Sequence, residues 1–340
     1  MTPRFFPRTA LALGFCAAGA LLSVPAAAYD AEYVFGDSLS DNGNLAALFG
    51  TTFPNPPSYN NSFTNGPVAV QLLAQSLGLS LNPSLWTTSP TAPAGTNYAV
   101  AGATSAEDPA GGSAGIDLPD QVLAYDTYAS GAADPKALYV IMIGGNDVRD
   151  AAKAGTGDAA IDDGVAAEEA AIEALSGEGA KNFLIVNVPN VGLIPEFAEE
   201  DSSQAAEATT LSQYYNMELA NDLSGLDESL PDGTNLHEFD LYDYNASLLA
   251  DATALGFTNT TDPCFIAAPE SAATNPGCGV DGANIASYVY WNDIHPTARV
   301  QALWAEGFES VIPEPSTWAM LLTGFAALAF AARRRARTAS

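Results

Sequence analysis

Residues Ala31 to Gly50 read AEYVFGDSLSDNGNLAALFG. AEYVF mixes β-branched and aromatic residues as a buried strand does, the next residues are turn formers, and LAALFG opens a helical spacing. Strand, turn and helix in that order begin a parallel α/β unit. The pattern recurs along the chain. TNYAVAG, ALYVIMIGGND, NFLIVNVPN and TNLHEFDL read as further buried strands. Between them GPVAVQLLAQSLGL, LPDQVLAYDTYASG, DDGVAAEEAAIEALSG, LSQYYNMELANDLSGL and DYNASLLADATALG place apolar residues three and four apart. Such alternation predicts an α/β fold with a central, mostly parallel sheet covered on both faces, a three-layer α/β/α sandwich. Ligands of these sheets bind outside the carboxyl ends of the strands, so the residues that follow each strand are the ones to inspect for chemistry.

The ends of the chain are different in kind. MTPRFFPRTALALGFCAAGALLSVPAAA has Arg4 and Arg8, an apolar run and small residues at Ala26 and Ala28. This is the layout of a secretory signal peptide, residues 1–28. At the other end, Pro313-Glu314-Pro315 precedes an apolar run from Trp318 to Ala332 and then Arg333, Arg334, Arg335 and Arg337. Positive charge after a short apolar helix is retained in the cytoplasm and stops transfer. The segment, residues 312–340, resembles the PEP-CTERM sorting tail of Gram-negative bacteria. That resemblance implies a short transmembrane helix, an exosortase as partner, removal of the tail, and delivery to the cell surface or extracellular matrix.

Six of the 11 Lys and Arg residues lie in these ends, against only Glu314 of the 40 acids. The body therefore keeps 5 basic and 39 acidic residues, a net charge of −34. A field of that sign excludes nucleic acid and anionic membrane surfaces as partners and favours solubility. Within the body, residues 29–311, Cys264 and Cys278 flank a Pro/Gly-rich loop and read as a disulfide in an oxidising compartment, worth roughly 3 kcal/mol by loop closure. No spacing of Cys and His supports a metal, and no cofactor is expected.

Two serines compete for the role of nucleophile. Gly111-Gly112-Ser113-Ala114-Gly115 fits G-x-S-x-G, but Pro109 and small residues stand where that elbow needs a strand. Ser38 instead follows a strand and precedes a helix, whose free N–H groups favour developing negative charge. Of the two histidines, His237 lies within the strand NLHEF and reads as a packing residue. His295, in WNDIHPT, follows a loop and precedes the helix PTARVQALWAEGFES, with Pro296 suited to its first turn. A histidine of that placement can take the proton of a serine attacking an ester.

GDSL at Ser38, NYAVAGA with Gly102, IGGND with Asn146 and IHPT with His295 stand in the order of the GDSL/SGNH hydrolase blocks. FGDSLSDNGN, NVPNVGLIP and the DPC segment resemble the bacterial lipase, phospholipase and haemolysin-like branch. The resemblance implies the SGNH-type sandwich and a serine ester hydrolase, esterase or lipase, working through an acyl-Ser38 intermediate. It also implies an oxyanion hole made by the Ser38 N–H, the Gly102 N–H and the Asn146 side chain. In one respect the chain departs from the family. The acid usually stands three residues before the histidine, where this chain has Asn292, and Asp293 is one step later. Asp293 from a shifted loop, or Asn292 in a slower arrangement, would orient His295, with Asp293 the first expectation. An acetyl esterase on extracellular polysaccharide, and a catalytically impaired surface-binding protein, are the alternatives that the tail and Asn292 suggest.

Overall fold

The computed structural model describes residues 29–54, 57–107, 115–200, 202–266, 274–279 and 282–312. Four parallel strands lie in sequence order: β1 (Glu32–Gly36), β2 (Leu138–Met142), β3 (Asn182–Val186) and β4 (Asn235–Phe239). Their side chains alternate between two cores, as the two-residue period of a strand requires. Phe35, Tyr139, Ile141, Phe183 and Ile185 face one core, and Val34, Val140, Met142, Leu184 and Val186 the other. The first core is closed by α3 (Leu118–Ala129), α4 (Gly145–Ala154), α5 (Asp158–Glu178) and α7 (Ser202–Ser229), and the second by α2 (Ala69–Ser76), α8 (Leu241–Ala250) and α9 (Ala298–Val311). Helices on both faces of a parallel sheet make this the α/β architecture that the alternation predicts.

Four local expectations are corrected. TNYAVAG forms no ladder strand; it runs beside β1 as extended chain, joined by Val34 N–H to Thr96 O, Tyr98 N–H to Val34 O and Val100 N–H to Gly36 O. The strand read through IGGND stops at Met142, because Gly144 takes φ 96° and turns the chain into α4. TNLHEFDL is not buried throughout, since β4 is a sheet edge and Asn235 and Glu238 are exposed. Pro296 is not in the first turn of α9: it bridges Tyr290, two residues ahead of Ala298. A small sheet of β5 (Asn259–Pro263) and β6 (Tyr288–Tyr290) carries the chain toward His295, and beside it Cys264 and Cys278 are joined with their Cα atoms 5.3 Å apart. Two short helices, α1 (Asn44–Phe49) and α6 (Pro195–Glu200), complete the elements.

Among the described residues no helix is long and apolar enough to cross a membrane. The signal segment 1–28, the apolar run from Trp318 to Ala332, and Gly111 to Ala114 of the alternative serine motif lie outside the described residues.

Polar side chains lash the turn after β1 in place. Asp41, fully buried, accepts from the N–H groups of Gly43 (2.7 Å), Asn44 (2.8 Å), Leu45 (3.1 Å) and Ala101 (2.9 Å). One carboxylate thus serves the unpaired donors at the start of α1 and fixes the segment that carries Gly102. Gln121 of α3 pairs with both the N–H and the carbonyl of Gly36. Gly36 admits no side chain, since a Cβ there would collide with the carbonyl oxygen of Met142.

Behind α4, Glu168 of α5 is fully buried and accepts from the Tyr215 hydroxyl at 2.8 Å, while its other oxygen has no partner. Burial pushes its carboxyl up to about 8, and Tyr215 only partly opposes this. The unfolded chain loses that proton near its ordinary value, around 4.5. Between those pH values the native state holds the extra proton, so this group's contribution to stability falls as pH rises. Urea unfolding of Glu168→Gln at pH 5 and pH 8 is expected to show the variant gaining on the parent at the higher pH; an equal difference at both would place the titration elsewhere.

Candidate active site

Each residue of the site stands just past the carboxyl end of a strand or of a loop fixed to one. Ser38 is two residues beyond β1 and Asn146 four beyond β2, in the first turn of α4. His295 reaches them from the loop between β6 and α9. That loop is pinned on its far side, where the Thr64 hydroxyl donates to Pro296 O (2.9 Å) and Asn65 Oδ1 accepts from Ala298 N–H (2.8 Å). Gln301 of α9 returns the favour to α2 by accepting from Ala69 N–H at 2.8 Å. The two helix starts therefore cap each other, and the position of His295 follows from their packing.

His295 Nε2 lies 2.7 Å from Ser38 Oγ, and Nδ1 lies 3.0 Å from Asn292 Oδ1. Of the two side chains considered for the third place, the one in contact with the ring is Asn292. Its orientation is determined by the main chain. Oδ1 also accepts from the N–H groups of Ile294 (3.0 Å) and His295 (2.7 Å), and only an oxygen can do so. Nδ1 must then carry its hydrogen, which leaves Nε2 as the acceptor for the serine proton. The main chain of Asp293 ties the loop to α6, its carbonyl oxygen accepting from Glu196 N–H at 2.9 Å.

His295 is buried, with Phe63 against its ring at 5.1 Å between centroids. Burial pushes its pKa down from 6.5 to about 3, Arg149 adds to the fall and Glu196 opposes it. Arg149 itself is forked onto Glu196, with Nε 2.6 Å and an amino nitrogen 2.7 Å from the carboxylate, and Lys153 is 2.5 Å from the same group. Burial pushes the Glu196 carboxyl up, but the two cations outweigh it and hold it below its ordinary value.

Gly102 has φ 92°, a left-handed conformation suited to glycine, at the tip of a turn closed by Ala103 N–H to Val100 O. Asn146 Nδ2 donates to Ala103 O at 2.8 Å, so the two segments are joined. Among the described residues the N–H groups of Ser38 and Gly102 meet no acceptor. Main-chain N–H groups and an amide nitrogen of this kind are the donors that oxyanion stabilisation uses. His237 sits in β4 opposite Leu184, apart from this group. No cluster among the described residues could hold a metal ion. The sequence reading passed over Asp41 and Glu196; the D-N-G-N spacing after Ser38 was the signal for the first, and nothing in the local sequence pointed to the second.

Residues 33–308 match the GDSL-like Lipase/Acylhydrolase family, and the chain belongs to it, among the carboxylic ester hydrolases. It is 28% identical to acetylajmalan esterase 2 of Rauvolfia serpentina over 83% of this chain and 90% of the esterase. It is 36% identical to lipase 1 of Photorhabdus luminescens over 51% of this chain but 24% of the lipase. With the thermolabile hemolysin of Vibrio parahaemolyticus the identity is 27%, over 80% of this chain and 61% of the hemolysin. The chain thus spans about a quarter and about three fifths of the last two. Residues 311–335 match the PEP-CTERM protein-sorting motif, which implies export and sorting in Gram-negative bacteria.

The geometry makes the role of Asn292 measurable. Asn292→Asp keeps the acceptor and adds a charge that favours the imidazolium, so the acid limb of kcat/KM, set low by the buried ring, is expected to move to higher pH. Asn292→Ala is expected to lower kcat by tenfold or more, and Asp293→Ala by far less. A larger loss from Asp293→Ala would return the orienting role to the aspartate.

Proposed function

We propose that this is an exported serine ester hydrolase, an esterase or lipase, in which Ser38 is the nucleophile, His295 the general base and Asn292 the group that orients it. The single observation that supports this most is His295 bridging Ser38 Oγ and Asn292 Oδ1. Nε2 takes the serine proton as Oγ attacks the ester carbonyl. The resulting oxyanion is held by the Ser38 and Gly102 N–H groups and by Asn146 Nδ2. The proton then passes from Nε2 to the departing alcohol, and water, activated by the same nitrogen, releases the acid from acyl-Ser38. Phospholipid is included among the proposed substrates, as the resemblance to the phospholipase and haemolysin-like branch implies.

Asparagine in place of aspartate is compatible with turnover for a geometric reason. In the serine-protease example the Asp-to-Asn change costs roughly 10⁴ in kcat because the ring takes the wrong tautomer. Here two main-chain donors fix which end of the amide faces Nδ1, so the productive tautomer is retained and only the charge is missing. Residues 1–28 would direct export, and residues 312–340 would be the substrate of an exosortase that delivers the body to the surface or matrix.

A fluorophosphonate probe is expected to label the protein, and Ser38→Ala to abolish both labelling and hydrolysis. Asn146→Ala should keep labelling detectable while reducing kcat on the order of 100-fold to 1000-fold. Absence of labelling and of hydrolysis across esters of different length would favour a surface-binding protein without turnover.

A further inference from the structure

Among the described residues, two cavities of unlike character lie beside Ser38. The cleft that contains Ser38, Asn146 and Arg149 is small, about 50 Å³. A second cavity of about 170 Å³ adjoins it and shares Leu39, Pro189, Ile194 and Ile294 with it. Leu39 follows the nucleophile and Ile294 precedes the base, so the entrance is framed by the chain neighbours of the reacting pair. From there the walls run between α8 and α9. Leu193 and Ala246 are exposed at the rim, whereas Leu248, Val300 and Trp304 are buried at the inner end.

Most polar atoms of this lining already have protein partners. Trp304 Nε1 donates to Asn245 Oδ1 at 2.7 Å, the Tyr290 hydroxyl donates to Leu193 O at 2.9 Å, and the Tyr242 hydroxyl accepts from Gln213 Nε2 at 2.9 Å. The surface left for a guest is mainly hydrocarbon. The acetyl group of a sugar acetate would leave such a space unfilled.

Resting on the reading of Ser38 as nucleophile, we propose that this chamber holds the linear acyl chain of the substrate, making the enzyme selective for aliphatic acyl esters longer than acetate. The acyl group is chosen over the alcohol because it must stay bound through both half-reactions. The alcohol leaves after the first, and an inner end closed by Val300 and Trp304 would retain it. Each methylene moved from water into such a space contributes up to about a fourfold gain in binding.

The test is a p-nitrophenyl ester series from acetyl to palmitoyl, with an alkyl acetate series alongside. The octanoyl-to-acetyl ratio of kcat/KM is expected to exceed ten in the parent. It should fall at least tenfold in Ala246→Trp, which fills the chamber from an exposed position, and in Leu193→Asp at the rim. Leu123→Trp, an exposed site on α3 outside the chamber, should leave the ratio as it was. Ratios within twofold of the parent in both rim variants, or a preference that follows alcohol length instead, would overturn the proposal. If no ester is hydrolysed, the hydrolase reading fails by itself and calorimetry with octanoic acid on Ser38→Ala decides the chamber: binding that Ala246→Trp weakens supports it, and no binding overturns it.

Discussion

One amide oxygen joins the loop, the ring and the proton of the His295 site. Asn292 Oδ1 collects three donors, two from the main chain and one from the His295 ring. The main-chain pair closes the turn that brings the histidine back toward β1, and the same pair prevents the amide from rotating. Loop shape, ring orientation and proton position are therefore one constraint. An aspartate would satisfy the same three donors, so the chain has kept the geometry that a carboxylate would provide without the carboxylate's charge.

The scaffold around this turn relies on buried polar groups aimed at main-chain atoms. Asp41 and Gln121 hold the exit of β1, and Asn44 donates to the carbonyls of Asn97 and Ala99. Parallel strands end in loops with unpaired donors and acceptors, and those groups need partners when α/β packing covers them. The DNGN run after Ser38 supplies several of these partners from four consecutive residues. Of five cations in a strongly acidic body, Arg149 and Lys153 meet at Glu196, next to the cleft.

The four ladder strands and most of the helices were legible because their apolar periods are long and bounded by turn residues. Ser38 and His295 could be singled out because a strand end and a near absence of histidine leave few candidates. The choice between Asn292 and Asp293 was not legible, since adjacent residues in a tight turn point in directions that residue spacing does not encode. β5 and β6 were missed for a different reason. NTTDP is polar and YVY has three residues, and neither presents an alternation long enough to read. The pairing of Arg149 with Glu196, 47 residues apart, depends on how α4 and α6 meet and leaves no local trace.

The ring of His295 is buried and faces a neutral amide, which makes it a reluctant base. The converse also follows: a reluctant base becomes a strong acid once it is protonated. In the proposed mechanism such a ring is slow to take the serine proton and quick to return it to a departing oxygen. The asymmetry suits esters of ordinary aliphatic alcohols, whose alkoxides leave only when protonated, better than activated esters whose leaving groups need no help.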